Sequence, residues 1–438
     1  MSTKETGGRD NWGSRIGYIL STLGMALGVG AMWRFPMLTA KYGGGAFVIA
    51  FVVISILAVL PAGWAESALG RKYKKSPYGT MTAVAGKKGS IFSFFMAATP
   101  WALAFYYPII MGTVLVYIVA TFMGAPFLAD VEAFYNSVND NRVLIYGSVA
   151  FVVLLTALIS LRGVQKGVEA CCKVLLPMMF IFLVIICVRV FTLPGIMKGI
   201  NFYLEPDLSQ LKSVDLWIAA GGMALFAVGL GPGYLMTYGS YASDKADVAT
   251  DFVTINITQL LICVLCGFAT IPAVVLFGLD PTAGKGLVFQ SLPLIFSQLS
   301  GGMIWFVLFM VAFFFAGLST TLSLVEVPAS CLQEAFNISR KKAVSIVTIV
   351  ILIGAAPCVW NDAFFMFFDN LIGNVFYCTT AAVVAFYLAW IVGAEKIRTE
   401  WYNPTSVVKY GKWVDLLYKF VAVPAFLYFA IGAIMSLF

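Results

Sequence analysis

The sequence predicts an all-α polytopic membrane protein with about eleven transmembrane helices, arranged as two inverted five-helix repeats with broken first and sixth helices. Of its 438 residues, 61% are hydrophobic and 11% are charged. A soluble protein of this length has no core large enough to hide so much apolar surface. The apolar residues form runs of about 20 or more, the length that crosses a bilayer. Glycine and proline interrupt two of these runs at corresponding positions, as in secondary transporters built from repeats.

The apolar runs define eleven expected spans. They cover residues 15–40, 44–69, 89–123, 143–161, 167–193, 215–241, 250–278, 300–335, 343–359, 364–393 and 416–438. The domain assignment that follows is a tail over 1–14, a first repeat over 15–193, an outer loop over 194–213, a second repeat over 214–393, and a cytoplasmic loop with the eleventh helix over 394–438.

Lysine and arginine predict the orientation of these spans. Their clusters fall on one side of the membrane if the spans alternate, and cytoplasmic loops carry such clusters. We therefore expect a plasma (inner) membrane protein with the N-terminus in the cytoplasm and the C-terminus outside. A second outer loop, 279–299, has an apolar period that suits a short helix over an entrance.

The composition excludes several classes of function. Histidine is absent, which excludes a histidine base, a histidine proton relay and most zinc sites. Most of the eight cysteines lie in apolar runs, so a disulfide framework is not expected. No GxSxG and no paired intramembrane aspartates indicate an enzyme, and no repeated selectivity motif indicates a channel. The net charge of +7 is explained by the cytoplasmic loops rather than by a nucleic-acid partner.

The sixth span carries the strongest signal for a broken helix. Gly229, Gly231, Pro232 and Gly233 lie in its middle, where proline removes a donor and glycine weakens the helix. Unwound backbone at membrane depth is tolerated only where it lines a polar cavity, so the break predicts a binding site. The glycines around Gly28 in the first span have two interpretations, a second break or close packing between helices.

Polar residues inside the spans are candidates for function. Arg34 is expected to pair with Asp369, or both snorkel separately to the interface. Ser319 and Thr320 in the eighth span either bond back to their own helix or turn their oxygens toward a sodium ion. Glu326 suits a structural or a functional role equally.

Several motifs together resemble the neurotransmitter:sodium symporter family, in its bacterial amino acid transporter type. The first helix and its exit resemble the family in WGSRIGYILSTLGMALGVGAMWRFPMLTAKYGGGAF. Later segments that match in order are WAESALGR, AFYYPII, RGVQKGVE, WIAAGGMALFAVGLGPGYLMTYGSY, TIPAVV, FFFAGLSTTLS and SRKKA. The resemblance runs from about Arg9 to the C-terminus. It implies sodium-coupled symport of an amino acid, with a transport-inactive sensor of the same fold as the alternative.

The resemblance also implies a substrate pocket between spans one, three, six and eight. Its lining would be Met25, Ala26, Val29, Gly30, Leu103, Tyr107, Phe226, Ala227, Gly229, Pro232, Thr320 and Leu324. Free amides near Gly28, with the Tyr107 hydroxyl, would hold a carboxylate. Relatives that carry biogenic amines have an aspartate where Gly28 stands, so an amino acid is favoured over an amine. The apolar lining favours a neutral, bulky hydrophobic or aromatic one.

One sodium site is complete by this resemblance and another is not. The complete site would use carbonyls and hydroxyls of Gly24, Leu27, Ala316, Ser319 and Thr320. The other positions are Ala31, Ala227 and Thr258, of which two offer no side-chain oxygen, and Ile262 stands where relatives have a charge-balancing acid or chloride-site residue. We therefore expect one sodium ion per cycle and no chloride requirement.

Two gates and the partners follow from the same resemblance. The outer gate would consist of Arg34, Asp369, Phe226 and Tyr107. The inner gate would consist of Arg9, Glu334, Trp12, Ser240 and Tyr241. Glu66 is expected to cap unwound backbone of span six. The expected partners are an amino acid substrate and the lipid bilayer, without nucleic acid, for a monomer or weak oligomer.

Overall fold

The computed structural model describes residues 10–125, 127 and 129–437, and of Ile91 only the backbone. The first half of the described chain contains seven helices: α1 (Arg15–Ala26), α2 (Gly30–Lys41), α3 (Gly45–Tyr73), α4 (Pro77–Phe122), α5 (Val131–Asp140), α6 (Arg142–Leu161) and α7 (Val164–Phe191). Among the described residues the β-structure is one isolated bridge, between Gly44 and Pro206.

The second half continues in the same all-helical manner. Its helices are α8 (Met197–Leu204), α9 (Val214–Val228), α10 (Tyr234–Ser240), α11 (Val248–Leu276), α12 (Leu287–Ser297), α13 (Gly302–Phe336), α14 (Arg340–Trp360), α15 (Asp362–Tyr402) and α16 (Trp413–Met435). The short α8 lies in the first predicted outer loop, and α12 lies in the second, where the sequence predicts a short helix. The Tyr117 hydroxyl donates to the Phe289 carbonyl at 2.9 Å and ties α12 to α4.

Both predicted breaks are present. The first span is the pair α1 and α2, whose axes differ by 54°. The sixth span is the pair α9 and α10, separated by the turn over Gly229–Gly233. Close helix packing alone therefore does not explain the glycines of the first span. The described chain is a multi-pass membrane protein, with nine helices long and apolar enough to span a bilayer and a tenth span if α1 and α2 are joined.

The count of eleven spans and the repeat boundaries stay predictions. Taken separately, α9 and α10 are shorter than a span, at 15 and 7 residues. They reach the length of one crossing only if the unwound turn between them also lies in the membrane.

Two helices extend beyond the predicted spans. The third predicted span starts at residue 89, whereas α4 starts at Pro77 and contains a non-helical Gly86 (φ 61°). The polar segment before Gly86 is helical because Ser76 caps it, with its hydroxyl accepting from the Gly79 N–H at 3.3 Å. The tenth span continues past residue 393 to Tyr402, with a left-handed Gly393 (φ 100°) at the join.

The broken helices lie in the centre of the bundle. α1 packs on α7, α11 and α13, while α10 packs mainly on α3 and α9 packs on α3 and α16. The long α13 packs along α4 and α7. Segments that lack regular backbone hydrogen bonds are thus enclosed by protein, which is the condition for unwound backbone at membrane depth.

Candidate functional site

The first break has room for glycine alone at residue 28. A Cβ added to Gly28 would overlap Tyr107 Oη and lie 2.5 Å from Thr320 Oγ1. The Val29 N–H donates to Tyr107 Oη at 3.0 Å. Because α1 ends at Ala26 and α2 starts at Gly30, no helical turn precedes α2. The Ala31 N–H donates instead to the Gly28 carbonyl at 3.1 Å. The break therefore joins the irregular backbone at the start of α2 to a tyrosine and a threonine hydroxyl.

The second break consists of three left-handed glycines. Gly229, Gly231 and Gly233 have φ of 65°, 101° and 89°, a region that other residues adopt only at a cost. The Gly231 N–H donates to Glu66 Oε1 at 3.0 Å. Glu66 is buried in α3 and so reaches the unwound backbone, which is the contact that the sequence predicts.

The two breaks face each other through the predicted pocket residues. A Cβ at Gly229 would lie 2.5 Å from Met25 Sδ, and a Cβ at Gly30 would lie 2.8 Å from the Phe226 ring. Five further predicted lining residues are buried in spans one, three, six and eight: Ala26, Leu103, Ala227, Pro232 and Leu324. The structure thus brings the unwound segments of spans one and six together with α4 and α13.

Four of the five predicted sodium ligands form one hydrogen-bonded cluster. The Gly24 carbonyl accepts from Ser319 Oγ and from Thr320 Oγ1, each at 3.0 Å. Ser319 Oγ also lies 2.7 Å from the Ala316 carbonyl, to which it donates. Leu27, the fifth, is the residue at which α1 ends. Uncharged carbonyl and hydroxyl oxygens at this density fit a hard monovalent cation.

At the second sodium position, two of the three residues compared with the family offer no side-chain oxygen, and the third is Thr258. Ala31 and Ala227 are buried, and Ile262 is buried on α11. Sequence reasoning missed two other polar residues of α11. Asn256 and Gln259 are fully buried, and their amide oxygens have no hydrogen-bond partner in the described part of the chain. The sequence pattern that could have identified them is two amide side chains three residues apart in an apolar helix.

The outer gate differs from the predicted ion pair. Arg34 donates to the Asn374 side-chain oxygen. A Cβ at Gly373 would lie 3.3 Å from Arg34 Nη1 and 3.4 Å from Asp369 Oδ1, so both charges border the same point. They are nevertheless not within 4.0 Å of each other, as no Arg34–Asp369 pair occurs among the salt bridges of the described residues. Asn374 lies one turn further along α15 and reaches the guanidinium instead.

The aromatic lid also differs in its members. The ring of Phe226 packs on Tyr377 with centroids 5.0 Å apart, and the Arg34 guanidinium lies 5.4 Å from the Phe226 centroid. Tyr107 uses its hydroxyl on the Val29 N–H. The sequence missed Tyr377 because its spacing within an apolar helix is that of an ordinary core residue.

The predicted inner gate falls partly outside the described residues, because Arg9 is not among them. Glu334 accepts hydrogen bonds from the Ser76 N–H at 2.7 Å and from the Ser76 hydroxyl. These bonds place Glu334 at the N-terminus of α4, where a helix attracts negative charge. The pairing of Arg9 with Glu334 therefore stays a prediction.

Trp12 closes the same end of the bundle on span six. Its indole N–H donates to the Tyr238 carbonyl at 2.9 Å, and its backbone N–H donates to the Tyr241 carbonyl at 2.9 Å. Its ring packs on Tyr241 with centroids 5.7 Å apart. Ser240 Oγ donates to the Thr237 carbonyl.

The structure gives Glu326 defined partners, whereas the sequence left its role open. Arg340 donates to both of its oxygens, at 3.0 and 2.6 Å, and the Tyr241 hydroxyl donates to Oε1 at 2.7 Å. Arg340 Nη1 also lies 3.5 Å from Asp10 Oδ2. Glu326 thus joins α13, α14 and the end of α10 through charge-assisted bonds.

Comparison with known proteins identifies relatives over nearly the whole chain. The model of the sodium:neurotransmitter symporter family matches residues 9–143 and 127–437. An uncharacterized sodium-dependent transporter of Haemophilus influenzae is 31% identical, over 94% of this chain and 95% of its own length. The uncharacterized sodium-dependent transporter YhdH of Bacillus subtilis is 30% identical, over 93% and 94%. The crystal structure of MhsT in complex with L-phenylalanine matches with a TM-score of 0.89 and 28% identity, over 97% of this chain and 100% of that one.

Proposed function

The chain belongs to the sodium:neurotransmitter symporter family, and from this premise we propose that it carries a neutral, bulky hydrophobic or aromatic amino acid across the plasma membrane together with sodium, by alternating access. Its bacterial relatives are named sodium-dependent transporters. The similar chain MhsT was crystallised with L-phenylalanine.

The observation that carries the proposal is the uncharged first break. The atoms nearest to a Cβ at Gly28 are Tyr107 Oη and Thr320 Oγ1, and neither bears a charge. The start of α2 is the positive end of a helix dipole, which attracts an anion. The carboxylate therefore has to come from the ligand, which supports an amino acid substrate.

The rest of the pocket supports a large apolar side chain. Met25 and Phe226 lie against the opposite break, and Leu103 and Leu324 are buried on α4 and α13. Buried apolar walls favour apolar ligand atoms and reject a second charge, which would lose its hydration without a partner.

Coupling to one sodium ion, without chloride, is supported by the ligand sets. The oxygen cluster of Gly24, Ser319 and Thr320 joins the end of α1 to α13. An ion bound there would hold the broken first span against α13, which links sodium binding to the substrate pocket. Ala31 and Ala227 supply no side-chain oxygen for a second ion.

Uptake into proteoliposomes tests the proposal. Radiolabelled L-phenylalanine should accumulate with an inward sodium gradient and not with potassium in its place. Sodium-dependent binding without accumulation would indicate the transport-inactive sensor instead. Unlabelled L-phenylalanine should compete far better than phenethylamine, which lacks the carboxylate, and equal competition by the amine would contradict the assigned carboxylate site.

A further inference from the structure

A small cavity lies apart from the substrate pocket, on the side that the sequence predicts to face outward. It has a volume of about 40 Å³ and lies between α4, α5, α6, the segment before α12 and the junction of α14 with α15. Its polar lining consists of Thr113, Tyr135, Asn139, Arg142, Lys285 and Asp362. None of these residues belongs to the sodium ligands or to the gates.

The charges of this cavity are unbalanced. Arg142 and Asp362 form a bidentate pair at 2.9 and 2.8 Å, and Arg142 also donates to the Val359 carbonyl at 3.0 Å. Lys285 is the second cation of the lining. Its amine lies 3.3 Å from the centroid of the Phe365 ring, and it makes no hydrogen bond or ion pair with any residue that the structure describes. The only carboxylate of the lining is thus committed to arginine.

We propose that this cavity binds one small monovalent anion, with chloride as its ligand. Lys285 Nζ supplies the charge. Tyr135 and Asn139 supply further donors, since neither side chain has a hydrogen bond within the described chain. A cavity of about 40 Å³ has room for a monatomic ion or a water molecule. The site is separate from the family's chloride position, where this chain has Ile262 on α11.

The protonation of Lys285 makes this anion site sensitive to pH. Burial lowers the pKa of Lys285 to about 8, and the Arg142 guanidinium acts in the same direction. The Asp369 and Asp362 carboxylates oppose this shift. Tyr135 and Cys358 are the remaining titratable groups of the lining. A bound anion stabilises the ammonium form of Lys285. Chloride should therefore bind tightly at pH values below 8 and progressively more weakly at pH values above 8.

Thermal unfolding of the purified full-length protein tests the site. Chloride replaces gluconate at constant sodium and constant ionic strength, so the result does not depend on sodium coupling or on transport. The melting temperature should rise to a plateau with chloride for the unaltered protein and for Lys198→Met, an exposed lysine of the first outer loop. It should not respond in Lys285→Met. The half-saturating chloride concentration should be about tenfold higher at pH 9 than at pH 6.5.

Two outcomes would overturn the proposal. One is an unaltered protein without a saturable response to chloride, and the other is a Lys285→Met protein with the same response. Crystals of the unaltered protein soaked in bromide give a measurement that does not depend on any variant. An anomalous peak beside Lys285 Nζ supports the site, whereas bromide bound elsewhere with an empty cavity rejects it.

Discussion

Gly28 shows how a single hydrogen atom in place of a side chain shapes the candidate site. We expect Gly28→Ala to weaken L-phenylalanine binding at least about tenfold, about 1.4 kcal/mol. The reason is that the new methyl group would overlap Tyr107 Oη and displace the hydroxyl that bonds the Val29 N–H. Equilibrium binding of radiolabelled L-phenylalanine measures this. Gly222→Ala is the matched control, because a Cβ there meets nothing closer than Cys378 Sγ at 3.9 Å.

Ser319 tests the sodium ligands at the same scale. Ser319→Ala removes one of the clustered oxygens, and bonds to a charged partner contribute about 1.5–3 kcal/mol. We expect the half-saturating sodium concentration for uptake to rise about tenfold or more. Ser323→Ala should leave it unchanged, because Ser323 Oγ donates to the Thr320 carbonyl of its own helix at 2.7 Å. Equal sodium dependence in both variants would rule out Ser319 as a ligand.

The sequence predicted which single residues belong to the candidate site better than it predicted their hydrogen-bond partners. An arginine such as Arg34 stands out in any apolar span, but whether it reaches Asp369 or Asn374 depends on the local path of α15. Asn256 and Gln259 escaped notice because their importance lies in unpartnered oxygens, which only the packed structure shows. Sequence spacing carries no information about which polar atoms remain without a partner.

Among the helices, the break of span six depends on one contact with α3. Glu66→Ala would leave the Gly231 N–H without its acceptor, and an unsatisfied buried donor costs about 1–3 kcal/mol. We expect a lower melting temperature and strongly reduced uptake. Glu66→Gln keeps a side-chain oxygen at the same reach and should retain most of both. Measuring the two variants side by side separates the role of the acceptor from the role of the charge, and equal losses would contradict a capping role.

The helices also show which breaks can be predicted from a sequence. Pro232 among glycines predicts unwinding because proline and glycine both weaken a helix. Gly86 and Gly393 were not predicted, although both have left-handed φ. Gly393 ends the tenth predicted span and Gly86 precedes the third, and a glycine is tolerated inside a helix at a cost of about 1 kcal/mol. The composition of the runs sufficed for an all-helical membrane fold, since it follows from the solvent rather than from detailed packing.

For the whole molecule, the contacts at the two ends of the first span are unequal. At the end predicted to face the cytoplasm, Trp12 bonds to the backbone of α10, and Arg15 Nε lies 2.6 Å from Asp251 Oδ1 on α11. At the other end, Arg34 and Asp369 border one point without forming an ion pair. Alternating access requires that such contacts form at one end as they break at the other. In this conformation the end predicted to face the cytoplasm is joined by an ion pair, whereas the other end is joined through the hydrogen bond from Arg34 to Asn374.

The number of sodium ions per cycle is the prediction that joins these scales. One oxygen cluster connects α1 to α13, while buried alanines stand at two of the three other positions that would need oxygens. An underligated ion loses several kcal/mol of hydration without replacement. Initial uptake rates should therefore rise hyperbolically with sodium, and flux measurements should count one sodium per amino acid. The unpartnered oxygens of Asn256 and Gln259 are the alternative ligands on α11. Sigmoidal activation that becomes hyperbolic in Asn256→Leu would assign a second ion to them and refute the single-ion cycle.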